Sequence, residues 1–240
     1  MKRLVFSLVL LGLSLGMAAP LAHADGACEP SATYCLATWG FNFNGTVQAG
    51  NWPDHPGAPP AGWTANYSGF NFTTGLGKID FTFSGGPGSY NFLAFFDHDI
   101  GPWPLDSNSG RAFGTMKPGQ SWQLGDPGYN GGDTYARFVA NTLINGNEIE
   151  PGEYGDVSAA LGWAFLLGQG ESADITLMAS LVAPSSGFYL QEFDAVTGST
   201  LYIWEDLSIH ASEVPEPGSL ALLATGLLGL MFVMRRLSSI

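Results

Sequence analysis

Apolar side chains recur at every second position over much of this chain, and that period predicts strands rather than helices. Trp39, Phe41 and Phe43 alternate with Gly40, Asn42 and Asn44, and Ile79, Phe81 and Phe83 alternate with Asp80, Thr82 and Ser84. Ile175, Leu177, Ala179 and Leu181 alternate with Thr176, Met178 and Ser180; Leu201 and Ile203 begin a further run that Leu207 and Ile209 close. Successive side chains of a strand point to opposite faces, so each run has one face for a core and one for water. Denser apolar runs at 90–96 and 161–167 predict central strands buried on both faces, although the second also suits a short helix. Turn signals such as Gly85-Gly86-Pro87-Gly88, Asp126-Pro127-Gly128, Gly131-Gly132 and Pro184-Ser185-Ser186-Gly187 separate the runs. Many short strands with such turns predict an all-β fold, two antiparallel sheets packed as a jelly-roll-like sandwich. Residues 51–62, with four prolines, read as one long surface loop. No internal repeat and no domain boundary stand out within this region.

Both ends depart from the pattern. Lys2-Arg3 precedes an apolar stretch at 4–19, and Ala22-His23-Ala24 offers small residues where a signal peptidase reads them. Residues 1–24 therefore read as a signal peptide, with Asp25 the first residue of the mature protein. At the other end stand Val214, Pro215, Glu216 and Pro217, then an uncharged stretch at 219–234, then Arg235 and Arg236. The two prolines hold their neighbourhood extended and accessible. The uncharged stretch has 16 residues, which suits a transient hydrophobic helix better than a lasting span of about 20. The arginine pair keeps to the cytoplasmic side and places everything before Val214 outside the membrane. An ordinary C-terminal anchor behind a proline-rich linker is the plainer alternative.

The order motif, span, basic end resembles the PEP-CTERM sorting signal of bacterial envelope and biofilm proteins, with Pro215-Glu216-Pro217 as the signature tripeptide. The resemblance implies an exosortase as processing partner. The protein would be held in the inner membrane by residues 214–240 and then released or re-anchored at the cell surface or in the extracellular matrix. The body is also similar to a recurrent ectodomain of such proteins. The similarity is carried by 92–100, 119–124, 126–129 with Gly132-Asp133, 156–163, 170–177 and 187–190. It departs at Gly101-Pro102-Trp103-Pro104 and Ser107-Asn108-Ser109-Gly110, where related sequences carry a longer stretch rich in asparagine and glutamate. No activity comes with that resemblance.

The 25–213 region is strongly acidic: 4 basic residues stand against 20 acidic ones, a net charge of −16. Such a field repels phosphate backbones, which excludes nucleic acid as a partner and leaves divalent cations and neutral glycans. A solubilising surface explains the charge equally well. Cys28 and Cys35 are the only cysteines. In an oxidising compartment they are expected to pair and pin the N-terminus, since Cys-x6-Cys is neither a redox motif nor half of a zinc site.

Chemistry is sparse. No Gly-x-Ser-x-Gly elbow, His-Glu-x-x-His or Walker loop occurs, and the histidines are only His23, His55, His98 and His210. A glycosidase needs two carboxylates, for which Asp97 with Asp99 or Glu148 with Glu150 are the nominations. Calcium wants six to eight oxygens, usually from turns. Asp97 and Asp99, in a loop opening after a buried strand, form one candidate site; Asp126 and Asp133, with Asn130 between them, form another. Asn145, Asn147, Glu148 and Glu150 crowd a third loop. Turn-forming Asp and Asn residues that satisfy local amides are the plainer explanation. Trp52, Trp63 and Trp103, placed in or near loops, are candidates for stacking on sugars. The expectation is a non-catalytic structural or adhesive protein of the surface or biofilm matrix, the alternative a module that binds or cleaves matrix exopolysaccharide.

Overall fold

The alternation resolves into two sheets that share one aromatic interior. The computed structural model describes residues 33–101, 107–128, 132–149, 153–211 and 225–227. The signal peptide, Cys28, Trp103, Asn130, Glu150, Val214, Pro215, Glu216, Pro217, Arg235 and Arg236 lie outside the described residues. In chain order the elements are β1 (Tyr34–Phe43), β2 (Thr46–Asn51), β3 (Trp63–Asn71), β4 (Leu76–Phe83), β5 (Gly88–Ile100), β6 (Asn108–Phe113) and β7 (Gln120–Gly125). Then come α1 (Thr134–Ala140), β8 (Gly146–Asn147), β9 (Ser158–Leu167), β10 (Glu171–Ser180), β11 (Tyr189–Asp194) and β12 (Thr200–Ala211). The first sheet runs β2-β1-β5-β9-β7-β8 and the second β3-β4-β10-β12-β11-β6. Apart from the short parallel contact of β7 with β8, every pairing is antiparallel. This is the expected two-sheet sandwich.

Between the sheets the odd-numbered rings of β1 meet those of β4 and the even-numbered rings of β5. Phe41 lies 5.1 Å from Phe81, and Phe81 4.6 Å from Phe92. Trp63 joins them, 4.6 Å from Phe83 and 5.6 Å from Phe92. Each buried ring removes a large apolar area from water, and edge-on or tilted pairs add to that gain. Trp63 thus belongs to the core and not to a loop that stacks on sugars. Trp52 is half-buried at the start of the proline loop.

The dense runs at 90–96 and 161–167 are β5 and β9, central in the first sheet; the second is strand, not helix. Toward the end of β9 the outward Ala164 and Leu166 are exposed, so the 161–167 run is buried on both faces only in part. Over the middle of this sheet both faces are covered because α1 lies across its outer side. Phe138 packs there with Leu93, Phe95 and Ala160 in a second apolar cluster. Gly40 makes the approach possible, since a Cβ at that position would stand 2.8 Å from the Phe138 ring. The Asn42 amide then donates to the carbonyls of Phe138 and Val139, while Asn141 ends the helix in the left-handed region at φ 56°. The sequence reading contained no helix here. Seven residues carry too short a period to register, and tertiary packing supplies their stability.

Cys35 is buried in β1 and is not a free thiol. No disulfide-bonded pair falls within the described residues, because Cys28 lies outside them. The Cys28–Cys35 bridge stands as a proposal: denatured, unreduced protein from an oxidising compartment is expected to show no reactive thiol, and two would refute it. Among the described residues no helix is long and apolar enough to cross a membrane.

Candidate functional site

The nominated carboxylates separate into two groups at one end of the first sheet. Asp97 and Asp99 do not open a loop; they lie within β5, which continues to Ile100. Asp97 faces the outer side of the sheet, beside Thr38 of β1 and Ser158 of β9, and is only 2% exposed. One of its carboxylate oxygens, Oδ1, has no hydrogen-bond partner. Burial, and then the charges of Asp156, Asp99, Glu192 and Asp126, push its carboxyl well above the ordinary value. Asp99 and Asp126 are half-buried beside it, and Asp126 accepts the amide of Gly128 in its turn.

Asp133 has a cation of its own. Its carboxylate binds the Arg137 guanidinium at 2.6 Å and accepts from Gln123, so its pKa falls, chiefly through the Arg137 bond. It stands at the start of α1 without capping it through its side chain. Its other neighbour is Glu148, whose carboxyl is raised by burial and then by the Asp133 charge. Of the expected Asp126 and Asp133 pair, Asp133 is thus neutralised by Arg137, and Asp126 lies against the adjoining Gly132. The third loop is spent on structure: Asn145 accepts the Trp122 amide, and Asn147 donates to the Gly110 carbonyl.

His98 turns the other way, into the space between the sheets. It is fully buried, with Nε2 donating to the Gly75 carbonyl at 3.2 Å. Nδ1 lies 3.3 Å from Oε2 of Glu192 on β11, at ion-pair distance but off the hydrogen-bonding direction. Gly75 allows the contact, because at φ 70° its turn has no room for a Cβ against the imidazole. A further carboxylate, Glu205 of β12, is 2% exposed, and neither of its oxygens has a partner. Burial alone raises its pKa well above 4.5.

Sequence reasoning missed Asp156, Glu192 and Glu205. For the last two a signal existed. Glu192 follows Leu190 and Glu205 follows Leu201 and Ile203 at the same period of two, so both had to point inward. Asp156 carries no such mark, being placed by a loop.

Chemically, the Asp97 group can hold protons or a divalent cation, since all its charges have one sign. Among the described residues no three acidic, histidine or cysteine side chains stand close enough together to hold a metal as they are. Comparison with known proteins covers only the tail. No curated protein and no solved structure matches the chain. Residues 213–236, at the C-terminus, match the family model of the PEP-CTERM protein-sorting motif, and the chain is accordingly an exported protein that carries an exosortase sorting signal.

Proposed function

We propose that the sandwich is a non-catalytic structural or adhesive module of the cell surface or extracellular matrix, delivered there by its sorting tail. The observation that carries this reading is the PEP-CTERM motif at 213–236, directly behind a rigid β domain. Burial of Asp97 supports the non-catalytic part for one of the two nominated carboxylate pairs. A substrate cannot reach Asp97 at 2% exposure, and a glycosidase needs both carboxylates beside the scissile bond. Replacing Pro215-Glu216-Pro217 by three alanines is expected to leave export intact and retain the protein in the inner membrane. Surface display or release at the normal level would overturn exosortase sorting. Fractionation of the native host is expected to recover the processed protein with the surface and matrix material; recovery only from the culture fluid would overturn the adhesive role.

The buried Asp97 oxygen and the acids that charge it favour one addition: calcium drawn to the acidic end at Asp97 and Asp99, which would have to bring carboxylates closer together than they stand. A cation that binds only the folded state raises stability by RT ln(1 + [L]/Kd), about 2.7 kcal/mol at one hundred times Kd. Millimolar calcium is expected to raise Tm by a few degrees, and Asp97→Asn with Asp99→Asn to abolish the rise. A Tm indifferent to calcium and to chelator would leave protons as the counter-charge.

A further inference from the structure

The outer face of the second sheet carries an ordered set of rings that the core does not use. Trp204 of β12 pairs in register with Met178 of β10, and Leu190 of β11 with Ile203. One step further along that register, Tyr189 stands opposite Trp204, and on its other side Tyr189 pairs with Phe113 of β6. Directly paired residues share a face, so Trp204, Tyr189 and Phe113 form one row across three strands. The Phe113 and Tyr189 rings are stacked, 5.2 Å apart at 15°. In the next row Tyr202, Gln191 and Arg111 are paired in the same way, with Tyr202 edge-on to Tyr189 at 5.9 Å. None of these rings belongs to either apolar core cluster. Phe113 is 37% exposed, and the others are half-buried.

Their polar ends are unspent. Among the described residues no hydrogen bond or ion pair engages the side chains of Tyr189, Gln191, Tyr202, Trp204 or Arg111. Of the four basic residues at 25–213, Lys78, Lys117 and Arg137 are each ion-paired to an aspartate. Arg111 instead lies 5.2 Å from the Phe193 ring, exposed and with no carboxylate in either row. A chain with a large acidic excess has thus kept its unpaired cation beside two aromatic rows, and the nearest acid on the same face of β12, Asp206, is already neutralised by Lys117. Flat rings with free hydroxyl, amide and indole donors match the apolar faces and hydroxyl edges of sugars, and a guanidinium matches a carboxylate bidentately.

We propose that the β6-β11-β12 face is a binding platform for an acidic polysaccharide, its sugar rings stacking on Phe113, Tyr189 and Trp204 and a uronate carboxylate meeting Arg111. This deepens the surface and matrix reading above and rests on it for the setting. It also moves sugar contact away from the loop tryptophans to a sheet face.

The test is retention of the mature protein in affinity electrophoresis through polygalacturonate and through its fully methyl-esterified form. The native protein is expected to be retained by the acid form more strongly than by the ester at moderate salt, where the long-range repulsion of its −16 charge is screened and the close Arg111 contact is screened less. Arg111→Gln, an exposed change, is expected to weaken retention by the acid form roughly tenfold, the loss of one charged hydrogen-bonding partner, and to erase the preference over the ester. Trp204→Ala and Tyr189→Ala are expected to abolish retention by both forms, with thermal unfolding run beside each to show that the fold persists. No retention by the acid form, or retention unaltered by Arg111→Gln and by whichever ring variants fold, would overturn the platform. That result leaves delivery to the surface untouched, because localisation of the alanine-substituted tail reads the sorting step alone.

Discussion

Glu205→Leu is expected to make the domain more stable at neutral pH, by about 1–3 kcal/mol, the cost of a buried polar group left without a hydrogen-bond partner. The side chain points between the sheets from the same strand face as Leu201 and Ile203, and neither carboxylate oxygen has a partner. Burial holds its pKa well above 4.5. The sign follows from linkage. An acid with a raised folded pKa keeps its proton in the fold while the unfolded chain loses it, so stability is highest below 4.5 and falls as pH rises through the folded value. The gain from leucine is therefore expected to be small in acid and to grow toward neutrality. Glu205→Gln is expected to remove the same pH dependence while keeping a buried polar group, and so to stabilise less. Urea unfolding of the three proteins between pH 4 and pH 8 measures this. A Glu205→Leu protein less stable than the native one at neutral pH would show that the carboxylate has a counter-charge after all.

His98→Leu is expected to act in the opposite direction, costing about 3–5 kcal/mol, because it strands a buried charge that had a partner. It leaves Glu192 at 1% exposure with nothing beside it and deprives the Gly75 carbonyl of its donor. Burial already pushes the Glu192 carboxyl upward, and only His98 pulls it back. The double variant His98→Leu with Glu192→Leu is expected to recover much of the loss, which a double-mutant cycle in urea would record as strong coupling. Additive costs would mean that the two groups do not interact. Set beside Glu205, this pair shows why burial of a glutamate does not by itself fix the sign of its contribution.

The sheets were legible because their evidence is periodic. Ile79-Phe81-Phe83 and Ile175-Leu177-Ala179 face inward as their spacing requires, and the dense runs sit centrally as their lack of a polar face requires. What that density did not disclose was its second cause. The outer face of β5 is dry because Phe138 of α1 lies on it, and a seven-residue helix leaves too faint a trace among glycine- and asparagine-rich turns. The carboxylate sites were legible by residue type but not by grouping. Asp97 with Asp99 follows from spacing of two along one strand, whereas Asp156 joins them through a loop and Asp133 is neutralised by Arg137, one turn along a helix the spacing did not show. The aromatic row could not be read at all, since Phe113, Tyr189 and Trp204 are neighbours only through the register of three strands.

The position of β12 bears on how the domain would carry load. It lies inside its sheet, hydrogen-bonded to β10 along nearly its whole length and to β11 at its start, and it ends at Ala211, with the sorting motif beginning at residue 213. A pull on an attached C-terminus would therefore run along β12 rather than across it. Ladder bonds strained in parallel must yield together, whereas bonds at a strand peeled sideways yield one by one. The geometry would suit a tether under shear, with the last strand before the sorting motif paired on both sides and not lying at an edge of its sheet.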